Sequence, residues 1–414
     1  MPQQPPISLQ EARALTLANI RALPARVVDL ADAVDRVAFE ELQARVDSPS
    51  VDASLKDGYA VDSRSVTTAS PDRPIRLALA GDASAGSVSG VAVTAHTTVR
   101  VLTGAAVPTG ADAVVSEEYT SRQGRDVLFF HFAEPGRNVM PKGSDVAAGD
   151  PVVRKGQVLT PGRLGLLAAA GHSRIRVAPR PRVGILATGD EVTAPGMPLG
   201  RGKLYASNMV TLSAWCRRFG MKTVSAIAPD ESEALVQALR SLESRCDAVI
   251  TSGGAWTGDR DLVASVLRGM GWRQVFHRVR MGPGKAVGFG LLAEKPVFIL
   301  PGGPPSNLIG FLQIALPGLM QQSGREHALP LMRVRAGQDL SGRNTDWTHF
   351  VFGRLEPHAP LPLFFPVARS SRLQALAEAT ALAAVPEGCS RIEAGTEITV
   401  QLLTESRACL AAEE

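Results

Sequence analysis

Between residues 180 and 322 short apolar runs alternate with amphipathic ones, and this rhythm constrains the fold more than any other feature of the sequence. Residues 182–187 (RVGILA) read as a buried strand, followed by a glycine loop and a helix over 207–219 that Gly220 stops. A strand over 222–227 and a helix over 230–245 come next. Residues 247–251 (DAVIT) make another strand, then Gly253-Gly254 and a helix around 260–268. Residues 296–300 (PVFIL) lead into a Pro/Gly turn and a helix from about Pro305. Strands and helices in this order predict a parallel sheet with right-handed crossovers.

The flanks have a different texture. Apolar positions at helical spacing follow Ser8, with Glu11 placed for a capping box, so 8–22 reads as a helix, and a second short one is expected over 30–37. From about residue 48, β-prone runs at 75–79, 98–102, 113–116 and 127–132 are separated by Gly, Pro, Asp and Ser, as in a small all-β unit. Residues 135–176 are mixed, with Pro161 opening a helix that ends near Gly171. Beyond 326 short β-like runs return at 332–336, 348–355 and 397–402.

A chain of 414 residues exceeds one ordinary core, so two to four domains are expected. Lys and Arg are dispersed and net charge is only +4, which argues against tracking a nucleic-acid backbone and suits a small anionic ligand. The four cysteines form no CxxC pair, which favours a reducing compartment. The first nine residues hold three prolines and no apolar core, and the longest apolar stretches are far short of a membrane span. A soluble cytoplasmic protein, with no membrane or nucleic-acid partner, is the expectation.

In an open parallel sheet, ligands bind beyond the carboxyl ends of the strands. Three loops fall there. Thr188-Gly189-Asp190-Glu191 joins a glycine, which lets backbone approach a ligand, to two carboxylates suited to a divalent cation or its water. Taken alone it reads more readily as a simple turn capped by Asp190. Thr251-Ser252-Gly253-Gly254, continuing through Gly258, Asp259 and Asp261, frees backbone N–H groups for an anion. Asp259 also reads as an ordinary helix cap. Pro301-Gly302-Gly303-Pro304-Pro305-Ser306 is a rigid strand-to-helix loop, and the nearby Lys285 of Gly282-Pro283-Gly284-Lys285 offers a point charge to phosphate. There is no GxxxxGK[ST], no GxGxxG after the first strand, no GxSxG and no HxxxH, so nucleotide P-loop, dinucleotide and nucleophilic-serine readings lack support.

The order of these motifs resembles the MoeA family, which includes the E domain of gephyrin. Asp57-Gly58-Tyr59-Ala60 resembles its DGYA, and Val107-Pro108-Thr109-Gly110-Ala111-Asp112-Ala113-Val114 its VPxGADAVV. Gly136-Arg137-Asn138-Val139 with Gly143, Asp145 and Gly149 resembles GxNIRxxGEDxxxG. Thr188–Glu191, Ser252-Gly253-Gly254 and Pro283-Gly284-Lys285 follow in family order. The resemblance implies a multidomain α/β plus β fold. Its regions would be an α/β linker domain (1–48 and 136–178), an inserted β domain (49–135), a MogA/MoaB-like molybdopterin-binding α/β domain (179–325) and a C-terminal β-barrel-like domain (326–414).

It further implies a homodimeric molybdopterin molybdenumtransferase that cleaves adenylylated molybdopterin with Mg2+, inserts molybdate-derived metal and releases AMP. Its partners would be a molybdopterin adenylyltransferase and apo-molybdoenzymes. By motif match, Asp57, Asp145, Glu191 and Asp261 are the implied catalytic groups, with Asp57 and Asp145 from the partner chain. Glu191, Asp230 and Asp261 are implied metal ligands. Thr103, Thr188, Gly189, Asp190, Ser252, Gly253, Gly254, Asp259, Lys285, Pro301, Pro304 and Ser370 are implied substrate contacts. The chain departs from the pattern at Lys56, Ser144, Trp256-Thr257, Gly282 and Gly303. A non-catalytic carrier or insertion chaperone is the alternative those departures favour. Lys56 from a partner chain would then replace the charge missing at Gly282, against plain drift of the loop.

Overall fold

The computed structural model describes residues 5–86, 90–254, 262–325, 329–368 and 373–404. The chain divides into two compact units, residues 26–177 and residues 1–25 with 178–414.

In the unit 26–177, a six-stranded sheet runs in the order Ala113–Ser116, Gly58–Val61, Thr97–Val101, Ile75–Ala83, Asp126–Phe129, Thr120–Gln123. Gly58 is required there, because a Cβ on it would lie 2.1 Å from the Val115 carbonyl oxygen of the neighbouring strand. A second core of Leu159, Leu167, Ala170, Ile175 and Val177 lies under the helix Pro161–Ala169, which Thr160 caps. The helix expected over 30–37 is a single 3₁₀ turn, Leu30–Asp32. Asp35 takes a left-handed φ of 59°, and Val37–Ala38 leaves as a strand beside Arg174–Ala178.

In the other unit the central sheet runs in the order Lys222–Ala228, Arg182–Thr188, Ala248–Ser252, Lys295–Leu300, Gly288–Leu292, Arg273–His277. The first four strands are parallel, as expected; the last two pairings are antiparallel, with Gly288–Leu292 alone reversed, so the sheet is mixed. The antiparallel turn comes from Ala293 and Glu294, both at positive φ (47° and 62°), a two-residue reversal that the periodicity does not announce.

Both faces of the sheet are covered, which is why its four inner strands are largely apolar rather than alternating. Val183, Ile185, Ile250, Phe298 and Leu300 face one core, shared with Leu9 and Ala12 of the helix Leu9–Asn19 and with Phe350 and Leu382. Leu186, Val249, Val297 and Ile299 face the other, beneath Leu235, Leu239 and Leu242 of the helix Ser232–Arg245.

The C-terminal region is a closed five-stranded barrel. Thr348–Glu356 pairs with Leu363–Pro366, which pairs in turn with Leu331–Ala336, Glu397–Leu402 and Ala381–Val385, and the last closes on the first. Closure removes the exposed sheet edges. Among the described residues no helix is long and apolar enough to cross a membrane.

Candidate functional site

The four parallel strands end nearly level. Thr188 pairs with Ala228, Ala187 with Ser252, and Ser252 with Leu300, so the loops that follow all leave from one edge of the sheet. The three glycine loops singled out in the sequence are therefore neighbours. Gly253 has a φ of 105°, and a Cβ there would lie 2.5 Å from the Thr188 carbonyl oxygen, so only glycine lets the second loop lie against the first. A Cβ on Gly302 would lie 3.8 Å from the Gly253 Cα, which puts the third loop against the second. Gly284, in the loop before Lys285, backs onto the Ser306 carbonyl, and Lys285 itself is exposed.

A small amide network joins two of these loops to their helices. The Asn307 side-chain amide donates to the Ser252 hydroxyl (3.0 Å) and to the Pro301 carbonyl (2.9 Å). The Asn208 amide donates to the same hydroxyl (3.2 Å) and to the Gly302 carbonyl (2.7 Å). Two amide donors occupy the acceptor capacity of Ser252, which leaves its own O–H as a donor. Neither asparagine is among the residues singled out by sequence. Asn307 is 1% exposed and reads locally as a first-turn helix residue; its partners are up to 55 positions away. Pro304 begins the helix Pro304–Gly310, where its missing N–H leaves no partner wanting.

The first loop gathers negative charge. Asp190 accepts a hydrogen bond from the Asp230 backbone N–H at 3.1 Å, and the Lys203 ammonium donates to the Asp190 carbonyl. The Asp230 carboxyl is held above its ordinary range, first by burial, then by the negative charges of Asp190 and Glu191, with the Thr188 hydroxyl opposing. The Glu191 carboxylate folds back beside Gly189 and is exposed. This excess of like charge, with Lys203 bonded among the described residues to a carbonyl and to no carboxylate, suits a cation. Among the described residues no three acidic or imidazole groups are placed to close around a metal. Magnesium does not need such a cage, since it is commonly held by one or two carboxylates, water and substrate phosphates. Asp259, Asp261 and Ser370 lie outside the described residues.

The remaining expected groups belong to the unit 26–177. Asp57 accepts from both the N–H and the hydroxyl of Thr103, each at 2.7 Å, and these bonds hold its carboxyl below the usual carboxylate range. Thr103 is thereby a holder of Asp57. Lys56 is exposed beside it. Asp145 is exposed, with its backbone N–H given to the Ser48 carbonyl at 2.9 Å. The segments carrying Asp57 and Asp145 are tied by the antiparallel pairing of Ala53–Ser54 with Val139–Met140.

Comparison with known proteins covers nearly the whole chain. Residues 7–171 match the MoeA N-terminal region (domain I and II), 184–321 a domain described as "Probable molybdopterin binding domain", and 334–403 the MoeA C-terminal region (domain IV). The chain is 33% identical to molybdopterin molybdenumtransferase 2 of Mycobacterium tuberculosis, over 96% of this chain and 100% of that one. It is 28% identical to the molybdopterin molybdenumtransferase of Staphylococcus aureus, over 97% of each. The crystal structure of the molybdopterin biosynthesis MoeA protein of Pyrococcus horikoshii superposes with a TM-score of 0.85 at 28% identity, over 97% of this chain and 100% of that one. A glycine-lined strand edge inside a matched domain, and similarity that runs end to end, together establish that the chain belongs to the MoeA family of molybdopterin molybdenumtransferases.

Proposed function

We infer that this chain is a transferase of molybdenum cofactor biosynthesis, acting on adenylylated molybdopterin with molybdate as the metal-bearing substrate and releasing AMP. The observation that carries the reading is the level ending of the parallel strands. It sets the 188–191, 252–254 and 301–306 loops side by side, and that glycine-lined adjacency supports reading them as a receptor for a phosphorylated ligand.

The Ser252 hydroxyl donates to phosphate oxygens, with Lys285 adding positive charge from the adjoining turn. Cleaving a phosphoanhydride needs in-line placement and charge neutralisation more than a strong protein nucleophile. Glu191 and Asp230, joined by Asp261, would hold a magnesium ion, which would supply neutralisation of the developing phosphate charge. Asp190 positions the backbone of Asp230 for that role. A homodimer in which Asp57 and Asp145 of a second copy complete the site is part of the reading, as is a cytoplasmic location, which the free thiols Cys216, Cys246 and Cys389 support.

Incubating the protein with adenylylated molybdopterin, molybdate and magnesium tests the proposal. AMP release together with cofactor able to activate an apo-molybdoenzyme is expected. Tight binding with no AMP would instead identify a carrier. The full-length relatives named as transferases favour turnover.

A further inference from the structure

Away from the strand edge, a cavity of about 240 Å³ opens between the helix Leu9–Asn19, the helical segment around Gln313 and the outer wall of the barrel. Leu9, Leu331, Phe350 and Leu382 make it largely apolar. Leu9 and Arg13 stand four residues apart, on one face of the helix, so the guanidinium enters beside the apolar wall.

The reason Arg13 is there lies in the opposite helix. Pro317 has no N–H to give the carbonyl four residues back, that of Gln313, and the helix widens into a π turn over Phe311–Ala315. Arg13 Nε donates to that carbonyl at 3.2 Å, and its terminal nitrogen donates to the Gln313 side-chain oxygen. Gln313 is fully buried and fixed from behind by Gln401, whose side-chain oxygen accepts from it at 2.7 Å. This structural duty uses two of the five N–H donors of the guanidinium. Among the described residues no carboxylate pairs with Arg13, and burial pulls its pKa below the ordinary value. A cation drawn into an apolar cavity is ordinarily paired, and here none of the described residues supplies a counter-charge.

We propose that this cavity is a binding site for a small aliphatic or aromatic monocarboxylate, its carboxylate on Arg13 and its body against Leu9, Phe350 and Leu382. A planar carboxylate matches the fork of a single guanidinium, and the hydroxyl-bearing Thr348 and Thr399 line the same space. A dianion would find one cation and too few further donors. The volume admits a ligand of roughly eight heavy atoms, at about 30 Å³ for each water-sized group. The site is independent of the molybdopterin edge.

Isothermal titration of the full-length protein tests it, with hexanoate as probe and hexan-1-ol as the uncharged control. Hexanoate is expected to bind one per chain and hexanol about tenfold more weakly or not at all. Arg13→Met should weaken hexanoate about tenfold. Should Arg13→Met fail to fold, Leu331→Glu decides, because Leu331 is 66% exposed at the cavity mouth and its replacement sets a competing carboxylate there. Loss of hexanoate binding in Leu331→Glu supports the site. Hexanoate that does not saturate, that binds no better than hexanol, or that binds wild type and variants alike overturns it.

Discussion

The strands Ala248–Ser252 and Gly288–Leu292 are both five residues long, both buried from end to end, and two places apart in the same sheet. They serve opposite purposes. Ala248–Ser252 runs parallel to its neighbours and empties into Gly253-Gly254, against the loops that follow Thr188 and Leu300. Gly288–Leu292 runs the other way and returns at once through Ala293-Glu294 into the next strand. Phe289 there stacks on Phe298 with ring centroids 5.1 Å apart, and lies 5.6 Å from Phe276. Burial is the same in both, so burial does not mark a site. What marks it is whether several chain ends leave one edge together, as the strands ending at Thr188, Ser252 and Leu300 do.

That contrast predicts that damage on the antiparallel side appears as lost stability, and damage on the loop side as lost turnover. The largest effect is expected from Phe298→Ala, about 4 kcal/mol from the cavity left against the Phe289 ring, read as a lowered denaturant midpoint. Next comes acid. Burial, with Arg278 and Arg268 nearby, lowers the His277 pKa from 6.5 to about 4. An unfolded chain takes up that proton below about pH 6.5 while the folded one refuses it, so stability is full above that pH and falls between 6.5 and about 4. The loss reaches at most about 3 kcal/mol, and His277→Gln should flatten that slope in urea melts at stepped pH.

On the loop side, Glu191→Gln should lower the rate of AMP release about 100-fold while moving stability by less than about 0.5 kcal/mol. Unchanged turnover would remove Glu191 from the chemistry. Asn307→Ala sits between the two classes. It should cost about 1–2 kcal/mol for two lost hydrogen bonds, and raise KM for adenylylated molybdopterin more than it lowers kcat, because the Ser252 and Pro301 loops lose their common anchor. The smallest effect is expected from Lys56→Ala, a few-fold loss of molybdate or phosphate affinity in titration with no change in melting. No change in affinity would leave Lys56 as drift of its loop.

Much of this was legible in the residues. Local pattern gave the parallel strands within a residue or two, because their apolar runs are short, bounded by Gly and Pro, and buried on both faces. The helix at 30–37 failed because a left-handed Asp35 ends it. The antiparallel hairpin was invisible, since Ala293-Glu294 is not turn chemistry that sequence rules recognise. Thr103 was expected at the site by motif alone, and its physical task, holding the Asp57 carboxylate, needed the coordinates.

By itself the sequence determined that glycine would lie at the ends of buried strands, where no side chain could follow the backbone, and that acidic groups would flank those ends. Tertiary structure alone decided which ends meet. The alignment of Thr188, Ser252 and Leu300, the two asparagines that converge on one serine hydroxyl, and the arginine that answers an orphaned carbonyl 300 residues away are all long-range pairings. Local chemistry fixes what a residue can donate or accept. Only packing fixes which partner arrives.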